Sequence, residues 1–148
     1  MADPKFPFLV EPYSVLSAVY DRAGFADFAR NMIPRYLNYA FSIDWAGRTV
    51  LDLGCGTGFT SLWLADQGYR VAAVDNNPNM IKIARNRTRG PALEVPEYAE
   101  SDIRQLESPI GPADLVLAVG SVLNAIQSLR ELETVFNNVN KALQPGKL

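Results

Sequence analysis

Three aspartates and three alternating glycines are the residues of this 148-residue chain whose types and spacing could do chemistry together. Gly54, Gly56 and Gly58 fall in the run TVLDLGCGTGF at residues 49–59, where β-favouring residues give way to a glycine-dense turn that opens a helical pattern. Such a turn hands a nucleotide-like ligand to a helix N-terminus, because the backbone can pass close under the ligand and take positive φ where needed. Asp52, just ahead of the turn, is placed to accept hydrogen bonds from an ammonium group. Asp75, 23 residues further on, can take both hydroxyls of a ribose. Asp102, next to Ser101, can receive an amino group of an adenine. One aspartate at a strand end is often only a helix cap; three in succession, joined to the glycine turn, argue for a shared site.

Composition removes several other chemistries. The chain has no histidine, which takes away the usual serine triad and the commonest zinc ligand, so no metal site is expected. Cys55 is the sole cysteine, so no internal disulfide can form, and an intracellular, cytoplasmic setting follows. With no histidine to activate it, Cys55 reads as a small loop residue whose backbone matters more than its thiol. A formal net charge of -2 argues against a dedicated nucleic-acid surface. The local cluster Lys82, Arg85, Arg87 and Arg89 reads as a solvated helix end whose cations complement the macrodipole. No apolar run approaches the length of a membrane span, and the first residues lack the pattern of a signal peptide.

The elements that must position these residues alternate along the chain. Prolines 4, 7 and 12 favour an extended arm over residues 1–12, a short helix fits 14–20, and an apolar stripe from Phe25 to Phe41 predicts a long helix with a kink or restart at Pro34. Strands are predicted at 48–53, 70–75, 97–100 and 114–119. Between them, helices are expected at 60–67, ended by Gly68, and from Pro78 to about 88, capped by Asn77. A helical turn fits 121–126, a final helix runs from Leu129 to Pro145, and residues 90–96 read as irregular. This is the pattern of an α/β fold with a mainly parallel sheet and helices on both faces, whose ligands sit at the carboxyl ends of the strands. Residues 1–46 then form an arm and helices over the site, and residues 47–148 the core.

VLDLGCGTG resembles the first motif of class I S-adenosylmethionine-dependent methyltransferases, and VAAVDNNPNMIKIAR resembles their second strand and its helix. ESDIRQL resembles the adenine-side motif and DLVLAVGSVLNAI the fourth strand and its loop, so the likeness covers about residues 47–146. It implies a Rossmann-like sheet in the order 3-2-1-4 and a donor, S-adenosyl-L-methionine or its product S-adenosyl-L-homocysteine. By position it puts Gly54, Cys55 and Gly56 at the methionine part, Asp75 on the ribose, and Asn76 and Met80 beside ribose and adenine. Asp102 and Ile103 would flank the adenine, Val119 and Gly120 would border the sulfur, and Tyr13 and Tyr20 would cover the donor. It assigns no catalytic side chain. A dinucleotide fingerprint would place its third glycine where this chain has Phe59, which argues against an NAD-binding oxidoreductase.

Two departures from the family shape the expectations. The Asn/Asp-Pro-Pro-Tyr signature of nucleobase and glutamine methylation is replaced by GSVLNAI, which points to a small-molecule acceptor and leaves Ser121 and Asn124 as the polar groups nearest it. LQPGKL resembles the turn that leads into a fifth strand, so the chain reads as a truncated, donor-binding half. Strand 114–119 would then be an exposed apolar edge that pairs with another chain, or is covered by the N-terminal arm. Non-catalytic binding of the donor or of a partner is the alternative to turnover.

Overall fold

The computed structural model describes residues 12–42, 47–87 and 95–147. The expected arm, apart from Pro12, and most of the irregular stretch at 90–96 lie outside these residues.

Of the two central strands, β2 (Arg70–Asp75) carries an unbroken apolar run and β1 (Thr49–Leu53) an apolar run interrupted only by the buried Asp52, and only a strand covered on both faces can use such a run. With β3 (Glu97–Glu100) and β4 (Leu115–Ala118) they form one sheet of order β3-β2-β1-β4, every pair parallel. The alternation of side chains sorts the core. Val50, Val71, Leu115 and Leu117 pack with Ile33 and Leu37 of α2 (Phe25–Ser42) and Leu64 and Ala65 of α3 (Phe59–Asp66). Leu51, Leu53, Ala72 and Val74 pack instead with Val139 and Ala142 of α5 (Leu129–Ala142). Ile81 of α4 (Pro78–Asn86) reaches Ala73 and Cys55. Helices thus cover both faces, the arrangement of a Rossmann-like sheet.

Local chemistry sets the helix ends. Asn77 accepts from the backbone N–H of Asn79 at 2.9 Å and of Met80 at 3.4 Å, with Pro78 at the first helical position of α4. Ser128 caps α5 by accepting from Glu131 N–H at 3.2 Å. Gly68, at φ 86, closes α3.

Two expectations at the N-terminal end are corrected. The short helix is α1 (Pro12–Leu16), and residues 17–24 run in turns, where Asp21 is drawn away to partners on other elements and Gly24 takes φ 81. No restart occurs at Pro34: α2 is continuous through it, with Pro34 on the exposed side of the helix. One element was not foreseen, a 3₁₀ turn at Ile103–Gln105, where Asp102 accepts from Arg104 N–H at 2.9 Å. Among the described residues no helix is long and apolar enough to cross a membrane.

Candidate functional site

Register brings the strand ends level. Leu53 pairs with Val74 and with Ala118, and Asp75 pairs with Glu100, so the next residues, Gly54, Asn76, Ser101 and Val119, emerge together at the carboxyl edge. There the chain parts into a cleft of about 890 Å³ counting its open mouth.

One wall is the glycine turn. Gly54 and Gly56 line the cleft at φ 65 and 55, a region that side chains rarely adopt. A Cβ on Gly54 would also stand 2.6 Å from Val122 Cγ2. Gly58 differs, since a Cβ there would meet Ala84 Cβ and Tyr98 Oη at 2.7 Å, away from the cleft. The third glycine therefore serves the packing of α4 and β3 against the turn.

Asp75 stands beside that wall with its carboxylate fixed by backbone donors. Gly56 N–H reaches Oδ2 and Asn77 N–H reaches Oδ1, both at 2.9 Å. Asn76 and the buried Met80 continue the surface. Ser101, Asp102, Ile103 and Arg104 contribute the part of the cleft that follows β3. Arg104 grips Asp102 with Nη2 at 2.6 Å and Nε at 3.0 and 3.1 Å, and these bonds hold the carboxyl of Asp102 below its ordinary range. Its Nη1 reaches Glu131 Oε1 at 3.0 Å, tying the 3₁₀ turn to α5. Tyr13 and Tyr20 line the cleft from the N-terminal segment. Tyr20 stacks on Phe25 with ring centroids 5.1 Å apart, and burial, then the neighbouring Tyr13, Asp75 and Asp21, push its phenol up.

Twelve of the residues singled out in the sequence thus share one cleft: Tyr13, Tyr20, Gly54, Gly56, Asp75, Asn76, Met80, Ser101, Asp102, Ile103, Val119 and Ser121. Asp52, Cys55 and Gly120 do not. They line a smaller adjoining cavity, which shares Tyr20, Gly54 and Val119 with the cleft and is walled by Phe25, Phe28 and Phe59. Asp52 is buried there, with Ser61 Oγ donating to Oδ2 at 2.6 Å, and its desolvation pushes its carboxyl up to about 7. Burial, with Asp52 and Asp75 nearby, pushes the Cys55 thiol up, so a thiolate is disfavoured, and the Cys55 N–H extends the sheet to Val74 O at 3.0 Å.

The sequence reading missed Arg104, Val122, Ala125 and Ile126 as cleft residues. Arg104 carried a signal, a cation two residues after a capping aspartate; the apolar three follow from the helical turn at Val122–Ala125 and carried none of their own. The basic cluster is also corrected. Arg85 donates to Tyr98 O at 2.8 Å and Arg87 is engaged with Asp21 and Thr57, so these cations join elements and are not merely solvated; Arg89 lies outside the described residues.

Residues 50–146 match a family model described as a methyltransferase domain. The chain is 35% identical over 101 residues to the cypemycin N-terminal methyltransferase of a Streptomyces species, covering 68% of this chain and 39% of that protein. It is 29% identical over 98 residues to the putative methyltransferase YqeM of Bacillus subtilis, covering 65% and 38% respectively. A crystal structure of an S-adenosylmethionine-dependent methyltransferase from Clostridium acetobutylicum superposes with a TM-score of 0.71 at 25% identity, covering 93% of this chain and 55% of the other. The chain therefore spans about two fifths of the length of these curated relatives and about half of the solved one.

Proposed function

The chain belongs to the methyltransferase domain family, and from that premise we propose that its cleft binds S-adenosyl-L-methionine for methyl transfer to a small-molecule acceptor. The observation that carries this reading is the convergence on one cleft of a positive-φ glycine pair, a carboxylate at the end of β2 and a second after β3. The residues fit such a donor. Gly54 and Gly56 leave backbone open to its methionine part, Asp75 faces the ribose hydroxyls, and Met80 with Ile103 offers apolar contact to the adenine beside Asp102. Asp52, reached through the adjoining cavity, would take the ammonium group.

Bound there, the sulfonium donor supplies a methyl group already activated for in-line displacement. What remains for the protein is alignment and exclusion of water. Tyr13 and Tyr20 close one side, while Val119, Ser121 and Val122 form the surface at the end of β4. The residues 1–46 belong, in this reading, to the cover, and the cytoplasm is its setting. GSVLNAI after β4 supports a small acceptor over a nucleobase or a glutamine side chain.

Isothermal calorimetry with S-adenosyl-L-homocysteine tests the proposal; absence of heat would overturn it, and stronger uptake of NAD would favour the oxidoreductase reading. Binding without methyl release to any small nucleophile would mark the chain as a donor-binding unit alone. Asp75→Ala should weaken the binding at least tenfold, and a change within about threefold, roughly 0.7 kcal/mol, would remove its ribose role. The reading also includes association through β4. Opposite β1, the described residues give it only the Ala113–Leu143 bridge, and such an edge recruits another strand. Light scattering that reported a monomer at all concentrations would exclude this.

A further inference from the structure

Residues 17–24 form no regular helix, yet side chains fasten them to two distant elements. Asp21 Oδ1 accepts from Thr57 Oγ1 at 2.6 Å, and Oδ2 accepts from Arg87 Nη2 at 2.5 Å. Arg87, at the C-cap of α4, also donates from Nε to the Thr57 carbonyl at 2.8 Å, and its guanidinium lies over the Phe59 ring, 5.7 Å from the centroid. Thr57 is only 2% exposed, so its hydroxyl depends on a protein partner. The N-terminal segment, the glycine turn and the end of α4 therefore meet at one carboxylate.

The residues on either side of this junction face the cleft. Tyr20, next to Asp21, lines it, and so does Gly56, next to Thr57. Carbon Cε1 of the Tyr20 ring stands 3.8 Å from where a Cβ of Gly56 would be, and the Gly56 N–H holds Asp75. Asp21 itself is not on the cleft wall.

We propose that Asp21 is a positioning residue that fastens the segment bearing Tyr20 to the glycine turn, so that the grip of the cleft on its ligand depends on a side chain outside the cleft. The inference rests on the donor-binding reading above. Both ends of the junction carry a group that a bound donor would touch, so loosening Asp21 frees Tyr20 on one side and Gly56, with the Asp75 carboxylate, on the other. A charge-assisted pair and a buried hydroxyl bond are lost together, and re-imposing on binding the order they maintained draws on the ligand's own binding free energy, about tenfold in affinity.

The test compares the wild-type protein with Asp21→Ala and with Asp21→Asn, which keeps an acceptor for Thr57 but no charge for Arg87. Amide hydrogen exchange without ligand should accelerate at residues 55–59 in Asp21→Ala, and calorimetry should show S-adenosyl-L-homocysteine binding weakened about tenfold, with Asp21→Asn in between. Urea unfolding should show both variants still folded under the binding conditions, so that destabilisation by itself cannot lower the affinity. Wild-type affinity in both variants, or unchanged exchange of the turn, would each overturn the proposal. If the wild type itself took up no S-adenosyl-L-homocysteine, the functional reading would fail; the exchange of the turn would separately show whether Asp21 fastens it.

Discussion

At the scale of single residues, the glycine turn divides into positions with different jobs. Gly54 and Gly56 line the cleft, whereas Gly58 is enclosed by Ala84 and Tyr98. An alanine at 58 would face two contacts of 2.7 Å as well as φ 77, and one at 54 the branched end of Val122 as well as φ 65. At 56 the space is open to 3.8 Å, so only the backbone conformation is strained. Gly54→Ala and Gly58→Ala should therefore each lose about 2–3 kcal/mol in urea unfolding, and Gly56→Ala about 1 kcal/mol. Binding should sort them differently. Gly56→Ala should weaken uptake of S-adenosyl-L-homocysteine more than Gly58→Ala does, despite its smaller effect on stability. The opposite order would mean that the cleft is held by packing behind the turn and that its backbone makes no direct approach to a ligand. The sequence showed three equivalent glycines, because alternation reveals the need for positive φ and says nothing of which neighbour crowds each Cβ.

Among the elements, those with strong local signals were legible and those set by distant contacts were not. β2 and β3 fall at the predicted residues; for β2 the reason is a continuous apolar run, Val71 to Val74, which has few alternatives once turn residues bound it. The start of α4 was equally plain in Asn77 and Pro78. By contrast, residues 17–20 were read as part of a short helix at 14–20, although they run in turns, because Asp21's partners, Thr57 and Arg87, lie 36 and 66 residues away. The 3₁₀ turn after Asp102 is likewise held from afar: Asn138 Nδ2 donates to the carbonyls of Ile103 at 3.2 Å and Arg104 at 2.9 Å, and Arg104 is pinned by Glu131. Because α5 supports that turn, its cap matters to the cleft. Ser128→Ala removes the acceptor for Glu131 N–H and should cost about 1 kcal/mol, lowering the thermal midpoint by roughly 3 °C. Exchange of the amides at 103–105 should rise in the same variant, while those of β1 stay protected. A midpoint unchanged within error would mean that α5 begins on packing alone.

For the whole molecule, the buried Asp52 sets how stability varies with pH. It lies at the centre of the sheet, 2% exposed, with Ser61 as its hydrogen-bonding neighbour, and desolvation moves its carboxyl from the ordinary 3.8 to about 7. Between those values the folded chain keeps a proton that the unfolded chain has released, so the folded state binds more protons and stability falls as pH rises. The loss is complete above about pH 7 and amounts to about 4 kcal/mol at most. Asp102 and Asp114 act in the opposite sense, since Arg104 on one and the Arg48 and Thr49 amides on the other hold them below their ordinary range. Their contribution is present at neutral pH and is lost as pH falls through their folded values, below the interval in which Asp52 titrates. The two windows leave greatest stability near pH 4. Urea midpoints should therefore decline from pH 5 to pH 8, and Asp52→Asn, which keeps an acceptor for Ser61 and removes the buried charge, should flatten that decline. A parent protein whose midpoint is level across the interval would show that Asp52 stays charged when folded. If S-adenosyl-L-homocysteine places its ammonium against Asp52, binding should restore the charge, release a proton near pH 6 and tighten as pH rises towards 8. Calorimetry in buffers of different ionisation enthalpy measures that proton, and its absence would place the ammonium elsewhere.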